Sequence, residues 1–271
     1  MKISILGCGW LGLPLATYLI TQGHQIKGST TTKSKIEVLQ KNKIEPFEIQ
    51  LFESKISGNI TKFLENSEVL IIAIPPKLRG EIKENFVQKI ADLTSIIENS
   101  NIKKVIFISS TAVYEDTYPI VEVTENTILH PKAENGIQIL KSEQILQQSK
   151  TFKTTILRFG GLIGKDRNPI RILSGKKNIE NPEAPVNLIH QDDCINIINE
   201  LLKDKNNDKW GEIYNAVSNE HPKRNDYYCK KTTELGVEQP TFSTEISKGK
   251  LISNQKITTE LEYSFKKSIF L

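Results

Sequence analysis

Residues 3–12 read ISILGCGWLG, an apolar run that leads directly into three glycines with the spacing Gly-x-Gly-x-x-Gly. Gly7 suits a tight turn after a strand, Gly9 leaves room for a pyrophosphate against the backbone, and Gly12 lets a helix pack closely on the strand. An amphipathic stretch follows at residues 13–22, and a further apolar run begins at residue 25. Strand, glycine loop, helix and strand in this order predict a dinucleotide site, with the phosphates at the helix N-terminus.

Short apolar runs and amphipathic stretches alternate beyond this loop as far as residue 164. Such runs are typical of strands buried on both faces, and apolar residues at helical spacing are typical of helices that pack on a sheet. Their alternation predicts right-handed crossovers and a Rossmann-type, doubly wound parallel sheet. The predicted strands are residues 3–6, 25–28, 47–51, 69–74, 105–109 and 154–157, and the predicted helices are residues 13–22, 81–98 and 134–148.

The pattern becomes less regular after residue 164. Residues 165–185 are rich in Lys, Asn and Pro, and a helix near residues 192–202 and a strand near residues 213–217 follow. We therefore predict an α/β protein in two parts. The predicted parts are a dinucleotide-binding domain at residues 1–164 and a smaller C-terminal α+β substrate cap at residues 165–271, from which residues 187–217 return to the sheet.

Composition narrows the range of partners. The 271 residues include 36 Lys and Arg and 32 Asp and Glu, a net charge of +4, and the basic residues are scattered. Nucleic acid requires a clustered basic surface and is therefore not an expected partner.

No apolar run approaches the roughly 20 residues of a membrane span or the ~7 to 15 residues of an export signal, so we expect a cytoplasmic protein without membrane contact. The widely spaced Cys8, Cys194 and Cys229 indicate reduced thiols, and no metal site is predicted.

The end of the second predicted strand indicates which dinucleotide binds. An NAD site places Asp or Glu there to bind the adenosine ribose, whereas residues 28–35 read GSTTTKSK and contain no carboxylate. Hydroxyls and a lysine suit a 2′-phosphate, so NADP is favoured, with NAD as the alternative. The contacts predicted here are Ser29, Thr30, Thr31 and Lys33, and the wall predicted at the end of the 69–74 strand is Ala73, Ile74 and Pro75.

Four later segments resemble motifs of the extended short-chain dehydrogenase/reductases. Residues 108–114 (ISSTAVY) resemble the SSTxVYG segment, residues 157–164 (LRFGGLIG) the sixth-strand turn, residues 187–193 (NLIHQDD) the N-x-I-H-x-x-D segment and residues 213–215 (IYN) the YN strand. The GWLG of residues 9–12 and the GSTT of residues 28–31 are similar to the YeeZ-type group of atypical members, within the NAD-dependent epimerase/dehydratase family.

This resemblance implies roles for individual residues. In the superfamily a Ser or Thr after the fifth strand orients a carbonyl, and a Tyr four residues before a Lys transfers the proton. Ser110 and Lys141 occupy two of these places, but Ile137 stands where the Tyr is expected. Lys141 is either a contact of the cofactor ribose or a solvated helix residue. Together with the glycine motif, the resemblance gives as further cofactor contacts Gly7, Gly9, Trp10, Leu11, Gly12, Ser109, Phe159 and Gly160.

Other polar residues near these motifs have weaker support. Tyr118, His130 and Glu134 are candidates to replace the missing acid, although no motif supports them. Tyr114 is expected to pack rather than react. Asp193 is expected to cap the helix that begins beside it, and His190 to be structural.

Three functions remain open at this stage. The first is an NADP-dependent oxidoreductase or epimerase acting on a small polar substrate, such as a sugar or sugar nucleotide. The second is a catalytically idle NADP(H) sensor or carrier, which Ile137 favours. The third is a relative of hydroxyacid dehydrogenases, which predicts a largely helical C-terminal domain. The chain is expected to be a monomer, or a homodimer paired through the helices at residues 81–98 and 134–148.

Overall fold

A seven-stranded parallel sheet organises the chain. The computed structural model describes residues 1–76 and 85–270. The strands are Lys2–Leu6 (β1), Gln25–Thr30 (β2), Glu45–Glu48 (β3), Gln50–Leu51 (β4), Ile56–Ser57 (β5), Val69–Ile72 (β6), Lys104–Ser110 (β7), Val121–Val123 (β8), Lys153–Phe159 (β9), Gly161–Ile163 (β10), Leu188–His190 (β11), Ile213–Ala216 (β12) and Lys250–Ile252 (β13). The helices are Gly12–Thr21 (α1), Ile36–Lys41 (α2), Ile60–Leu64 (α3), Phe86–Glu98 (α4), Glu134–Gln148 (α5), Ile170–Leu173 (α6), Gln191–Lys203 (α7), Arg224–Glu234 (α8) and Gln255–Glu260 (α9).

The order of strands in this sheet is β12-β9-β7-β6-β1-β2-β3. The chain starts in the interior of the sheet at β1, adds β2 and β3 on one side, and then returns to add β6, β7, β9 and β12 on the other. Val69–Ile72 is buried along its whole length, as a strand with both faces covered must be. The predicted doubly wound Rossmann-type sheet is confirmed. Because the strand order reverses between β1 and β6, ligands are expected at the carboxyl ends of these strands.

Most predicted elements are present with shifted ends. β2 continues to Thr30, β9 continues to Phe159, and β6 ends at Ile72 instead of residue 74. The predicted bounds of α5 are confirmed. α4 begins at Phe86, and the side chain of Asn85 caps it by accepting a hydrogen bond from the Gln88 amide at 3.0 Å. Residues 81–84 of that predicted helix lie outside the described residues.

The strand predicted at residues 47–51 is wrong as a single element. β3 pairs with β2 only as far as Glu48, which lies opposite Thr30, the last residue of β2. Gln50–Leu51 instead pairs antiparallel with Ile56–Ser57 in a separate ladder. The alternating apolar pattern continues through both pieces, but the partner strand does not, and a parallel strand cannot extend beyond its ladder.

Two compact units divide the chain. The first comprises Met1–Val113, Lys132–Leu157 and Leu201–Ile213, and the second comprises Tyr114–Pro131, Arg158–Glu200 and Tyr214–Leu271. This division differs from the single boundary predicted at residue 164. Strand pairing between distant segments is the reason, because β8 pairs with β13 and β10 pairs with β11 inside the second unit. Of the predicted 187–217 segment, β12 contributes to the seven-stranded sheet, whereas β11 does not.

The second unit contains both helices and strands. Its core includes Ile170, Tyr227 and Tyr228, which pack with residues of β10 and β11. This mixed composition argues against the largely helical C-terminal domain that a hydroxyacid dehydrogenase relative predicts. In the part of the chain that the structure describes, no helix has both the length and the apolar character needed to cross a membrane.

Candidate functional site

The loop after β1 has a conformation that only glycine adopts easily. Gly7 has a φ of +102°, in the left-handed region where side chains are strained. A Cβ atom on Gly7 would lie 2.8 Å from the carbonyl oxygen of Ala73 and 2.9 Å from Cγ2 of Ile74. The loop therefore passes close to the chain that follows β6, and this approach requires a glycine.

The other two glycines of the motif differ in their surroundings. A Cβ atom on Gly12, the first residue of α1, would collide with the carbonyl oxygen of Gly7. A Cβ atom on Gly9 would meet nothing within 4 Å. Gly12 therefore permits close packing of helix on loop, and Gly9 faces open space of the kind that a pyrophosphate needs.

The beginning of α1 suits a bound anion. Leu11 is the N-cap residue, no side chain caps the helix there, and the first turn contains no acidic residue. Among the residues that the structure describes, no capping side chain therefore compensates the partial positive charge of this helix end. Together with the space beside Gly9, this arrangement fits the phosphates of a dinucleotide.

A cleft of about 180 Å³ lies beside this loop, within the first unit. Of the predicted contacts, those that line it are Gly7, Gly9, Ser29, Thr30, Thr31, Ala73, Ile74 and Pro75. The predicted contacts that do not line it are Trp10, Leu11, Gly12, Lys33, Ser109, Lys141, Phe159 and Gly160. The structure therefore brings together the glycine loop, the end of β2 and the end of β6, as the sequence predicts.

Ser29, predicted as a cofactor contact, lines the cleft and also supports the glycine loop. Its side chain is 2% exposed, and its hydroxyl accepts a hydrogen bond from the Gly7 amide at 2.9 Å. Thr30 is also buried, and its hydroxyl accepts a hydrogen bond from the Thr32 amide at 3.1 Å. Because β2 continues through Thr30, both residues lie in the strand, and the exposed hydroxyls that line the cleft belong to Thr31 and Thr32.

Lys35 lines the cleft, whereas Lys33 does not. Both lysines lie in the short 3₁₀ turn Lys33–Lys35. Residues two apart in such a turn are about 240° apart around its axis, so their side chains point in different directions. The sequence analysis named Lys33 as the contact, whereas Lys35 is the lysine that lines the cleft.

Sequence reasoning also missed a buried lysine in this cleft. Lys89 is 6% exposed and lines the cleft from α4, beside Phe86. It lies on the buried face of α4, where the amphipathic pattern gives no sign of a polar role. Cys8 was likewise missed as a wall residue, and burial raises the pKa of its thiol to about 12, so that it stays protonated at neutral pH.

The residues at the end of β7 form local contacts. The Ser109 hydroxyl donates to the carboxylate of the buried Glu143 of α5. The Ser110 hydroxyl accepts a hydrogen bond from the Ala112 amide at 3.2 Å, which is a common arrangement at a strand end. Lys141 is exposed on α5, whose buried face includes Glu143. This exposure favours the solvated interpretation of Lys141.

Phe159 and Gly160 lie in the second unit, next to a buried polar network. Phe159 is buried, and the Gly160 amide donates to the Ala216 carbonyl at 3.1 Å. Arg158, 1% exposed, donates from Nη1 to the Tyr114 hydroxyl at 2.8 Å. Burial raises the pKa of Tyr114, and its hydroxyl donates to Oδ1 of Asn215 at 2.7 Å. The expectation that Tyr114 packs rather than reacts agrees with this burial.

The three candidate replacement acids, Tyr118, His130 and Glu134, are all exposed. The expectation that Asp193 caps α7 is wrong. The helix already begins at Gln191, and the Asp193 carboxylate accepts hydrogen bonds from the Tyr263 hydroxyl at 2.5 Å and the Lys266 amide at 2.8 Å. His190 instead accepts a hydrogen bond from the Asp192 amide at 3.1 Å through Nδ1, a structural contact at the start of the helix.

The chain is similar to known families of proteins. Residues 1–169 match the model of the UDP-glucose/GDP-mannose dehydrogenase family, NAD binding domain. Protein YeeZ from Escherichia coli K12 is 33% identical over 267 residues, which cover 97% of this chain and 95% of its own.

Solved structures share the fold across the chain. UDP-glucose 4-epimerase from Thermotoga maritima, solved with UDP-glucose, has a TM-score of 0.80 at 17% identity and covers 100% of this chain and 95% of its own. UDP-glucuronic acid 4-epimerase from Bacillus cereus, solved with NAD, has a TM-score of 0.79 at 19% identity and covers 99% of this chain and 92% of its own.

The fold and the family match together define a protein with a Rossmann-type NAD-binding domain, whose fold is shared with sugar-nucleotide epimerases. The chain belongs to the family of Protein YeeZ and, through residues 1–169, to the UDP-glucose/GDP-mannose dehydrogenase NAD-binding family.

Proposed function

We propose that the protein binds NADP(H), with the 2′-phosphate at the carboxyl end of β2. The observation that carries this proposal is the lining of the cleft, where Thr31, Thr32 and Lys35 lie beside the glycine loop. Among the described lining residues there is no Asp or Glu. A carboxylate at this position would repel a 2′-phosphate, whereas a lysine and hydroxyl donors stabilise it.

Calorimetric titration tests the cofactor preference. We expect wild type to bind NADPH at least tenfold more tightly than NADH, or about 1.4 kcal/mol. Lys35→Ala should weaken NADPH binding about tenfold and leave NADH binding unchanged, because only NADPH carries the additional phosphate. Lys33→Ala is the matched control and should behave as wild type. Equal affinities of wild type for both dinucleotides, or equal losses in the two variants, would contradict the proposal.

We further propose an oxidoreductase or epimerase reaction on a small polar substrate, with Ser110 orienting the substrate carbonyl. The support is the position of Ser110 at the carboxyl end of β7 and the sugar-nucleotide ligands named for proteins of the same fold. Ile137 has no proton to transfer, and a positioned acid or base is typically worth about 10² to 10⁴-fold in rate. Turnover should therefore be slow unless another group, such as Tyr118, His130 or Glu134, supplies the proton.

The reaction is tested with UDP-glucose and UDP-glucuronic acid as first substrates, by following NADPH formation and, separately, epimer formation. Ser110→Ala should lower kcat/KM at least tenfold, and Lys141→Ala distinguishes a ribose contact from a solvated lysine by its effect on NADPH affinity. Turnover that survives Ser110→Ala would place the chemistry elsewhere.

The second candidate function is an NADP(H) sensor or carrier without turnover. Ile137, which is half-buried on α5 where the superfamily has its Tyr, favours this alternative. Tight NADPH binding without turnover, combined with a gain of carbonyl reduction in Ile137→Tyr, would support a site that has lost its acid.

A further inference from the structure

A second and larger cleft lies at the opposite ends of the same strands. It has a volume of about 460 Å³ and includes Lys2, the first residue of β1, and Gln25, the first residue of β2. The dinucleotide cleft lies at the carboxyl ends of these strands, beside Gly7 and Thr30. A strand of five or six residues is about 16 to 20 Å long, so the two clefts are separate sites.

The walls of this second cleft are basic. Four lysines, Lys2, Lys27, Lys43 and Lys62, line it together with two glutamates, Glu45 and Glu65. Within residues 1–76 and 85–270, no ion pair joins these glutamates to these lysines. The lysine ammonium groups are therefore not paired with the glutamates of the cleft. The lysines outnumber the glutamates, so the electrostatic potential in the cleft favours an anion.

One of these lysines is held in position by the backbone. The Lys27 ammonium donates hydrogen bonds to the carbonyl oxygens of Lys62 and Glu65, each at 2.7 Å. These carbonyls lie at the C-terminal end of α3, whose partial negative charge the ammonium partly offsets. The same ammonium lies 5.6 Å from the centroid of the Phe47 ring. Lys27 is thus held in position in the wall, and placing an anion beside it costs little side-chain entropy.

The cleft also has the features of a small-molecule site. Ile20 and Ile26 give it an apolar wall, and its volume lies in the range of about 300 to 1,000 Å³ that is typical of ligand pockets. His24 also lines it, and Nδ1 of its ring is buried without a hydrogen-bond partner in the described part of the chain. Such a ring nitrogen is an unused polar group beside the cationic wall.

We propose that this cleft binds a small phosphorylated molecule, with its phosphates on Lys2, Lys27, Lys43 and Lys62 and its less polar part on Ile20 and Ile26. Nucleotides and sugar phosphates share this chemistry. Binding at this cleft is independent of the proposed cofactor preference and reaction, because the two clefts share no lining residue among the described ones.

Tripolyphosphate is the first probe, titrated calorimetrically into the full chain at about 0.15 M salt, where exposed charges are screened beyond about 8 Å. We expect wild type to bind it, and the double variant Lys43→Glu with Lys62→Glu to bind at least tenfold more weakly. The control double variant, Lys41→Glu with Lys150→Glu, makes the same change in net charge at exposed positions outside the cleft. It should bind within about twofold of wild type.

Thermal unfolding of each variant checks that the fold is retained. ATP and glucose 1-phosphate then distinguish nucleotides from sugar phosphates as the ligand class. The compound of the natural class should bind more tightly than tripolyphosphate. Its affinity should fall by the same factor in the Lys43/Lys62 double variant. No binding by wild type at millimolar concentration, no loss in the Lys43/Lys62 double variant, or equal losses in the two double variants would each overturn the proposal.

Discussion

The hydroxyl of Ser29, near the end of β2, accepts a hydrogen bond from the amide of Gly7 at 2.9 Å. The carbonyl of Ser29 also accepts from the Cys8 amide at 2.8 Å. Two consecutive amides of the glycine loop are therefore held by one residue of the neighbouring strand. The conformation of the loop depends on β2 as well as on its own glycines, so we expect Ser29 to affect dinucleotide binding through the loop.

Ser29→Ala should destabilise the protein by about 1 kcal/mol, because it leaves the part-buried Gly7 amide without its acceptor. Dinucleotide affinity should fall as well, since the loop loses one of its supports. Urea denaturation and calorimetry measure the two effects. Thr31→Ala, at an exposed position, is the control for stability and should stay within about 0.5 kcal/mol of wild type. Coincident denaturation curves for the two variants would show that the Ser29 hydroxyl contributes nothing.

Gly9→Val and Gly12→Val should separate binding from folding. A Cβ atom at Gly9 meets open space, so the valine fills the volume expected for the pyrophosphate and should abolish dinucleotide binding while the fold is kept. At Gly12 the same atom collides with the Gly7 carbonyl, so this variant should be strongly destabilised. Thermal unfolding with and without NADPH measures both. A Gly9→Val protein that NADPH stabilises as much as wild type would mean that this space is not the phosphate site.

The sequence predicts the glycine loop well because the local geometry of the chain requires glycine at positions 7 and 12. The positive φ of Gly7 and the tight contact of Gly12 arise within a short stretch of chain, so the spacing of the glycines carries the information. The burial of each hydroxyl side chain after Gly28, in contrast, cannot be predicted from the local sequence. Ser29 is buried and Thr31 is exposed because β2 ends at Thr30, and the ladder of β2 with β3 decides that point.

Contacts between distant segments could not be predicted in this way. Asp193 sits at a helix start, where local sequence favours a cap, yet its partners are Tyr263, Lys266 and Lys267. The Ser109 contact with Glu143 likewise joins a strand end to the middle of a helix. No local pattern encodes such pairs, because they are fixed only when the fold brings the segments together.

The stability of the protein should fall on acidification, partly through His221. Burial lowers the pKa of His221 below its ordinary value of 6.5, although its Nδ1 lies 3.2 Å from the Val186 carbonyl oxygen. As the pH falls below about 6.5, the unfolded chain therefore takes up a proton more readily than the folded one, so protonation favours unfolding. Denaturation between about pH 5 and 7 should show a weaker pH dependence in His221→Asn than in wild type. Equal slopes in wild type and His221→Asn would rule His221 out.

The carboxylate of Asp193 should be among the strongest single contributions to the second unit. It is 1% exposed, and besides Tyr263 and the Lys266 amide it accepts a hydrogen bond from the Lys267 amide at 3.2 Å. Asp193→Asn replaces one oxygen by an NH₂ group that faces donors, so the variant should lose about 2 to 3 kcal/mol of stability. Asp192→Asn changes the neighbouring, half-exposed carboxylate, whose ion pair with Lys267 spans 3.5 Å, and should lose less than about 1 kcal/mol. Urea denaturation compares the two, and similar losses would mean that charge at the start of α7 matters rather than the bonds that Asp193 makes to the C-terminal segment.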